Sequence, residues 1–123
     1  MRAIVAPGTR APHGHYVHAV EHAGTIYVSG LLGNTAEETA DRDIAEQAGH
    51  CLDQLETILA AAGSSLGRVL KLGVFVSDVS EWPRVNAVCA GRFGEHRPAR
   101  IVVPCGPMRL GSRIEIDAIA AAG

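Results

Sequence analysis

At 123 residues the chain has the length of one domain, 1–123, enough for a single core and too little for multi-step machinery. Its 47% hydrophobic and 20% charged residues exclude a disordered chain, and 4% aromatics are too few for a row of base-stacking platforms. Eleven Lys and Arg against thirteen Asp and Glu leave a net charge of −2, which offers no electrostatic grip on nucleic acid or on an anionic membrane.

The opening Met1–Gly8 is too short for a signal peptide, and no apolar run approaches the ~20 residues of a membrane span, so a soluble cytoplasmic protein is expected. A short strand at Ala3–Val5 precedes an irregular lead-in marked by Pro7, Gly8, Pro12 and Gly14. Tyr16–Val20 and Thr25–Ser29 are β-branched and aromatic, and their connection through Glu21–Gly24 predicts an antiparallel hairpin, ended by Gly30, Gly33 and Asn34. The period then changes. Ile44, Ala48, Cys51/Leu52, Leu55, Ile58/Leu59 and Ala62 recur every three or four residues, which predicts a helix over Asp41–Ala62, capped by Asp41 or Asp43 and closed by Gly63. Val69–Val76 is apolar at nearly every position and reads as a strand covered on both faces. Ser80 as cap and Pro83 in the first turn open a second helix, continued by Val85, Val88/Cys89 and Phe93. Strands Ala99–Val103 and Arg113–Ile119 follow, separated by a Pro/Gly loop. The order predicts an α+β fold, two helices on one face of a mixed, mostly antiparallel sheet. Its other face is left bare, which predicts a closed oligomer.

In the last strand the Ile residues face one way, and Arg113, Glu115 and Asp117 face the other. This is either a solvated surface or a carboxylate on a central strand, desolvated at a protein–protein seam and raised toward acid/base range. Arg100, at the entrance of an apolar strand, is either a surface end or a guanidinium fork for a carboxylate. His13, His15, His18 and His22 crowd one segment, but no cysteine or carboxylate stands at metal-ligand spacing to them. They read as polar hairpin residues rather than a metal site, with His15 beside Tyr16 placed to line a pocket. Neither GxGxxG nor GxxxxGK[ST] is present, so no phosphate loop is expected. Cys51 and Cys89 fall on apolar helix stripes and Cys105 in a loop. Three widely spaced cysteines imply neither a disulfide framework nor a CxxC site.

Together these segments resemble the Rid family, the reactive intermediate deaminases. The landmarks are Tyr27-Val28-Ser29-Gly30, Leu70–Asp78, Val85-Asn86, Pro98-Ala99-Arg100 and Ile114–Ala120, in family order and spacing over nearly the whole chain. The resemblance implies a chorismate-mutase-like homotrimer whose sheets form an inner barrel, with active sites between subunits. It also implies hydrolysis of small carboxylated enamines and imines, of the 2-aminoacrylate and 2-iminopropanoate type, to 2-oxo acids and ammonia, without cofactor or metal. By that resemblance Arg100 grips the substrate carboxylate and Glu115 activates water or shuttles protons. Tyr16 closes the pocket from the other subunit, Asn86 lies near the site, and backbone groups around Gly30 and Leu31 complete the cradle.

Two departures bear on chemistry. Where the family has Ser-Cys after the arginine this chain has Ile101-Val102, and where it has Pro before the tyrosine this chain has His15. The first removes a thiol and makes that side of the pocket more apolar; the second adds an imidazole that titrates near neutrality. A pathway-specific subgroup and a non-catalytic ligand-binding trimer are the alternative readings, and a ribonuclease or translation inhibitor is disfavoured by the charge.

Overall fold

The structure is a computed structural model that describes residues 1–34 and 42–123. Its elements are β1 (Arg2–Ile4), β2 (Ala19–His22), β3 (Thr25–Leu32), α1 (Ile44–Ala61), β4 (Val69–Val76), α2 (Trp82–Phe93), β5 (Ala99–Pro104) and β6 (Ile114–Ala121). They form an α+β domain with one six-stranded sheet in the order β1-β2-β3-β6-β4-β5. Every neighbouring pair is antiparallel except β4–β5. Among the described residues no helix is long and apolar enough to cross a membrane.

The hairpin forms with a tighter turn than predicted. His22 pairs with Thr25, and the two residues between them, Ala23 and Gly24, have φ of 50° and 82°. Two successive left-handed residues make the turn whose twist matches that of the flanking strands. β2 starts at Ala19 instead of Tyr16, because β3 bulges opposite the segment before it. That segment is tied down differently: Ser29 N–H donates to the His18 carbonyl at 2.9 Å, and Ser29 Oγ to the Val17 carbonyl at 2.7 Å.

In α1 the predicted stripe is the buried one, from Ile44 through Leu59. Asp43 caps it, its Oδ1 accepting from the N–H groups of Ala45 and Glu46 at 2.7 and 3.1 Å. Asp41, the other predicted cap, lies outside the described residues. Gly63 follows the helix with φ of 78°, the left-handed residue its end requires. The stripe packs on Ile26, Val28 and Leu31 of β3 and on Ile114, Ile116 and Ala118 of β6.

Two expectations are corrected. Ser80 does not cap α2. Asp78 accepts from the Ser80 N–H and hydroxyl at 2.9 and 2.7 Å and caps a short 3-10 turn, after which α2 starts at Trp82 with Pro83 in its first turn. An ionised carboxylate two residues earlier accepts more strongly than a hydroxyl and takes up the serine itself. Nor are both faces of β4 covered in one chain. Leu72, Val74 and Val76 are buried, whereas Lys71 is exposed and Phe75 half-buried on the face away from the helices. Tyr27, about half exposed, shares that bare face, together with Ile101 and Asp117.

Candidate active site

Glu115 is the second residue of β6, and its backbone is paired on both sides, to Leu32 of β3 and Phe75 of β4. Strand alternation sends Ile114 and Ile116 into the core, and Glu115 and Asp117 to the opposite face. The neighbouring strands make room for the acids. β3 slips register between Val28 and Leu31, and Ser29 and Gly30 occupy the bulge. A Cβ on residue 30 would meet the tip of the Glu115 carboxylate and push it aside, so glycine leaves the acid its place, and Gly73 of β4 serves Asp117 in the same way. Half-buried in this glycine-walled place, the Glu115 carboxyl is pushed above its ordinary range, first by burial and second by the charge of Asp117. That is the direction a proton donor near neutral pH requires.

Around Glu115 lies a hollow of about 370 Å³, lined also by Arg10, Tyr16, Ser29, Gly30, Leu31 and Arg109. Two glutamines of α1 fix its walls. Gln54 Nε2 donates to the Leu32 carbonyl at 2.9 Å, and Gln47 Oε1 accepts from the Arg113 N–H at 2.8 Å. They hold the end of β3 and the start of β6 on either side of the acid. His18 is a strut, not a polar hairpin residue. Its Nδ1 accepts from the Ala6 N–H at 2.8 Å, so Nε2 carries the proton and donates to the Arg10 carbonyl at 2.8 Å. His13, His15 and His22 are exposed, and among the described residues no three His, Cys, Asp or Glu side chains converge as a metal site would need.

Arg100 belongs to a different place. It pairs with the buried Leu72 and so faces the helix side of the sheet, on the edge strand β5. Its Nη1 donates to Asn86 Oδ1 at 2.9 Å, and its guanidinium stands 5.8 Å from the centre of the Trp82 ring. With Cys89 these residues line a second hollow of about 530 Å³. Burial pushes the Cys89 thiol up, and the neighbouring guanidinium partly offsets this.

The structure therefore brings the predicted residues together as two groups: Tyr16, Gly30, Leu31 and Glu115 in one hollow, Asn86 and Arg100 in the other. One protomer does not bring Arg100 to Glu115. His15 lines neither hollow, and Val102 is half-buried against the core. Sequence reasoning missed Trp82 and Cys89, although Trp82, Asn86 and Cys89 are spaced four and three apart and so share one helix face. It also missed Ser29, Arg10 and Arg109, for which spacing carried no signal.

An α+β sheet with a desolvated acid in a glycine-walled hollow and an arginine braced on its edge strand defines the class of protein, and comparison with known proteins gives the family. The sequence profile described as Endoribonuclease L-PSP matches residues 6–122. The chain is 36% identical over 121 residues to a protein of Acinetobacter baylyi named 3-aminoacrylate deaminase RutC, covering 95% of this chain and 94% of that one. It is 31% identical over 119 residues to Protein HMF1 of Saccharomyces cerevisiae, covering 96% and 92%. Among solved structures, RidA from an Antarctic Psychrobacter matches with a TM-score of 0.90 at 31% identity, covering 98% of this chain and 99% of that one. The YjgF gene product of E. coli matches with 0.88 at 33% identity, covering 98% of each. The chain belongs to the Endoribonuclease L-PSP family, that of YjgF and RidA.

Proposed function

We propose that this chain is a deaminase that hydrolyses small carboxylated enamines and imines, of the 2-aminoacrylate and 2-iminopropanoate type, to 2-oxo acids and ammonia. The observation that carries the reading is the Glu115 carboxyl, raised by burial and set in a hollow beside Gly30. Membership of the family, and a relative named as a deaminase of an aminoacrylate, support the same chemistry. The site forms between copies of a homotrimer: Arg100 of one copy grips the carboxylate, and Glu115 of the next faces the reacting carbon. The separation of the two hollows, one with Glu115 and the other with Arg100, supports this assignment. Burying the bare sheet face, with Tyr27 and Phe75, supplies the driving force for assembly.

In this reading protonated Glu115 gives its proton to the enamine methylene carbon, which yields the imine. As a carboxylate it then takes a proton from water as the oxygen adds to C2. Return of that proton to nitrogen expels ammonia as the C2 hydroxyl gives its proton back to the Glu115 carboxylate, which leaves the 2-oxo acid and protonated Glu115. Arg100 holds the carboxylate in its fork and removes orientational freedom, with Asn86 and Trp82 bracing it. Tyr16 and the backbone at Gly30 and Leu31 border the substrate. Val102 supplies no nucleophile where the family has a thiol, so water attacks directly.

The test is ammonia release from freshly generated 2-aminoacrylate. We expect Glu115→Gln to slow it by ~10²–10⁴-fold, the range of a lost general acid–base group, and Arg100→Ala to raise KM. Wild type that releases ammonia no faster than buffer would leave a ligand-binding trimer as the better account.

A further inference from the structure

Two arginines that line the Glu115 hollow, Arg10 and Arg109, have no part in the mechanism above. Both stand on anchored backbone. The Arg10 carbonyl is held by His18, which is itself fixed by the Ala6 N–H. Arg109 stands in the turn before β6, where Leu110 has φ of 60°, a left-handed conformation that a leucine rarely adopts. Buried Asn34 clamps that turn, donating from Nδ2 to the carbonyls of Leu110 and Gly111 at 3.2 and 3.3 Å. Strain over-determined by a buried polar side chain is a mark of functional positioning, and here it sets Arg109 at the hollow.

Three other arginines of the chain are paired with acids among the described residues. Arg2 pairs with Glu21, Arg84 with Asp43 and Arg92 with Asp53. Among the described residues neither Arg10 nor Arg109 has a carboxylate within 4.0 Å, although the Glu115 carboxyl shares their hollow. Nor does either guanidinium hold Glu115 in its charged form, since that carboxyl is displaced upward by burial and by Asp117. The hollow thus presents an acid that favours its neutral form and two cations that have no carboxylate partner among the described residues. An anion is the ligand that two guanidinium forks at the edge of a hollow recognise.

The substrate's own 2-carboxylate is already assigned to Arg100, so an anion in this hollow is a second one. Resting on the deaminase reading, we infer that the substrate is the enamine or imine of an acidic amino acid, whose side-chain carboxylate is received by Arg109 and Arg10. The bond changes are those given above: water adds to C2, ammonia leaves, and the product is a 2-oxo dicarboxylate. The side-chain carboxylate makes and breaks no bond. A hollow of about 370 Å³ is within the range of small-ligand sites and accommodates such a compound.

The experiment measures calorimetric binding of oxaloacetate and 2-oxoglutarate against 2-oxobutyrate. In parallel it follows ammonia release from the imines that amino-acid oxidases generate from aspartate and alanine. Wild type is expected to bind the dicarboxylates about tenfold or more tightly than the monocarboxylate, as a charge-assisted contact provides. Arg109→Gln and Arg10→Gln each pull that ratio toward one, and Arg109→Lys keeps part of it. Equal affinities in wild type, or a ratio that both glutamine variants leave intact, overturn the inference. Should a variant fail to fold by circular dichroism, the salt dependence of the wild-type ratio decides: a ratio that shrinks with salt supports the inference and a salt-independent one overturns it. Selective dicarboxylate binding without ammonia release from any imine sinks the deaminase reading and spares the anion site. Ammonia release from the alanine imine without dicarboxylate preference does the reverse.

Discussion

The two hollows solve opposite problems. The one at Glu115 is cut into the middle of the sheet. Its acid is on a strand paired on both sides, its room comes from a glycine, and its ends are pinned by Gln47 and Gln54. The one at Arg100 lies on the last strand of the sheet, and its cation is exposed and steadied by the α2 side chains Asn86 and Trp82. Burial tunes the acid, whereas neighbours aim the cation. A carboxyl changes its proton affinity when water is removed, but a guanidinium stays charged wherever it sits and needs only direction.

Breaking the rigid half is expected to have the largest effect. Gly30→Ala puts a methyl group where the Glu115 carboxylate lies, so activity in the ammonia assay falls by ~10²-fold as the acid is displaced, whereas urea melts change little because the flexible side chain gives way. Unchanged activity would mean that the acid has no fixed position to lose. In the steadied half the effect is smaller. Asn86→Ala removes one hydrogen bond to a charged but exposed group, so KM rises by roughly tenfold with kcat little changed, and folding is unaffected. A fall in kcat instead would place Asn86 at the reacting atoms.

The mildest comparison is between Glu115 and its neutral isostere as pH varies. The folded pKa of Glu115 is raised, so the native state binds the proton more tightly than the unfolded chain and loses stability as pH rises above the ordinary value of 4.5. Glu115→Gln has no such loss. The two proteins are expected to melt alike in acid, and the variant to become the more stable one as pH climbs toward neutrality, levelling off once the folded carboxyl has ionised. Identical pH profiles would show that the acid is not desolvated.

The elements nearest the site divide by how far each could be read. The α1 stripe, the Asp43 cap and the extent of β4 followed from periodicity and local chemistry, and so did the alternation that turned Glu115 and Asp117 away from the core. The family landmarks then supplied Arg100, Asn86 and Tyr16. Gln47 and Gln54 went unread because a polar residue on a buried helix face looks like an error in the stripe until the carbonyl or N–H it satisfies is in view. Trp82 and Cys89 read as ordinary helix residues for a similar reason, since Arg100 reaches them only through the parallel pairing of β5 with β4.

By itself the sequence determined most of the helix and strand spans, because caps, turns and hydrophobic period act over a few residues, and its family landmarks pointed to the acid and the cation. Tertiary structure alone decided that the acid and the cation occupy separate hollows, that Gly30 is the empty space over Glu115, and that Arg109 is held on a strained turn. Each of those depends on which distant backbones become neighbours, and therefore on the register between strands rather than on any local run of residues.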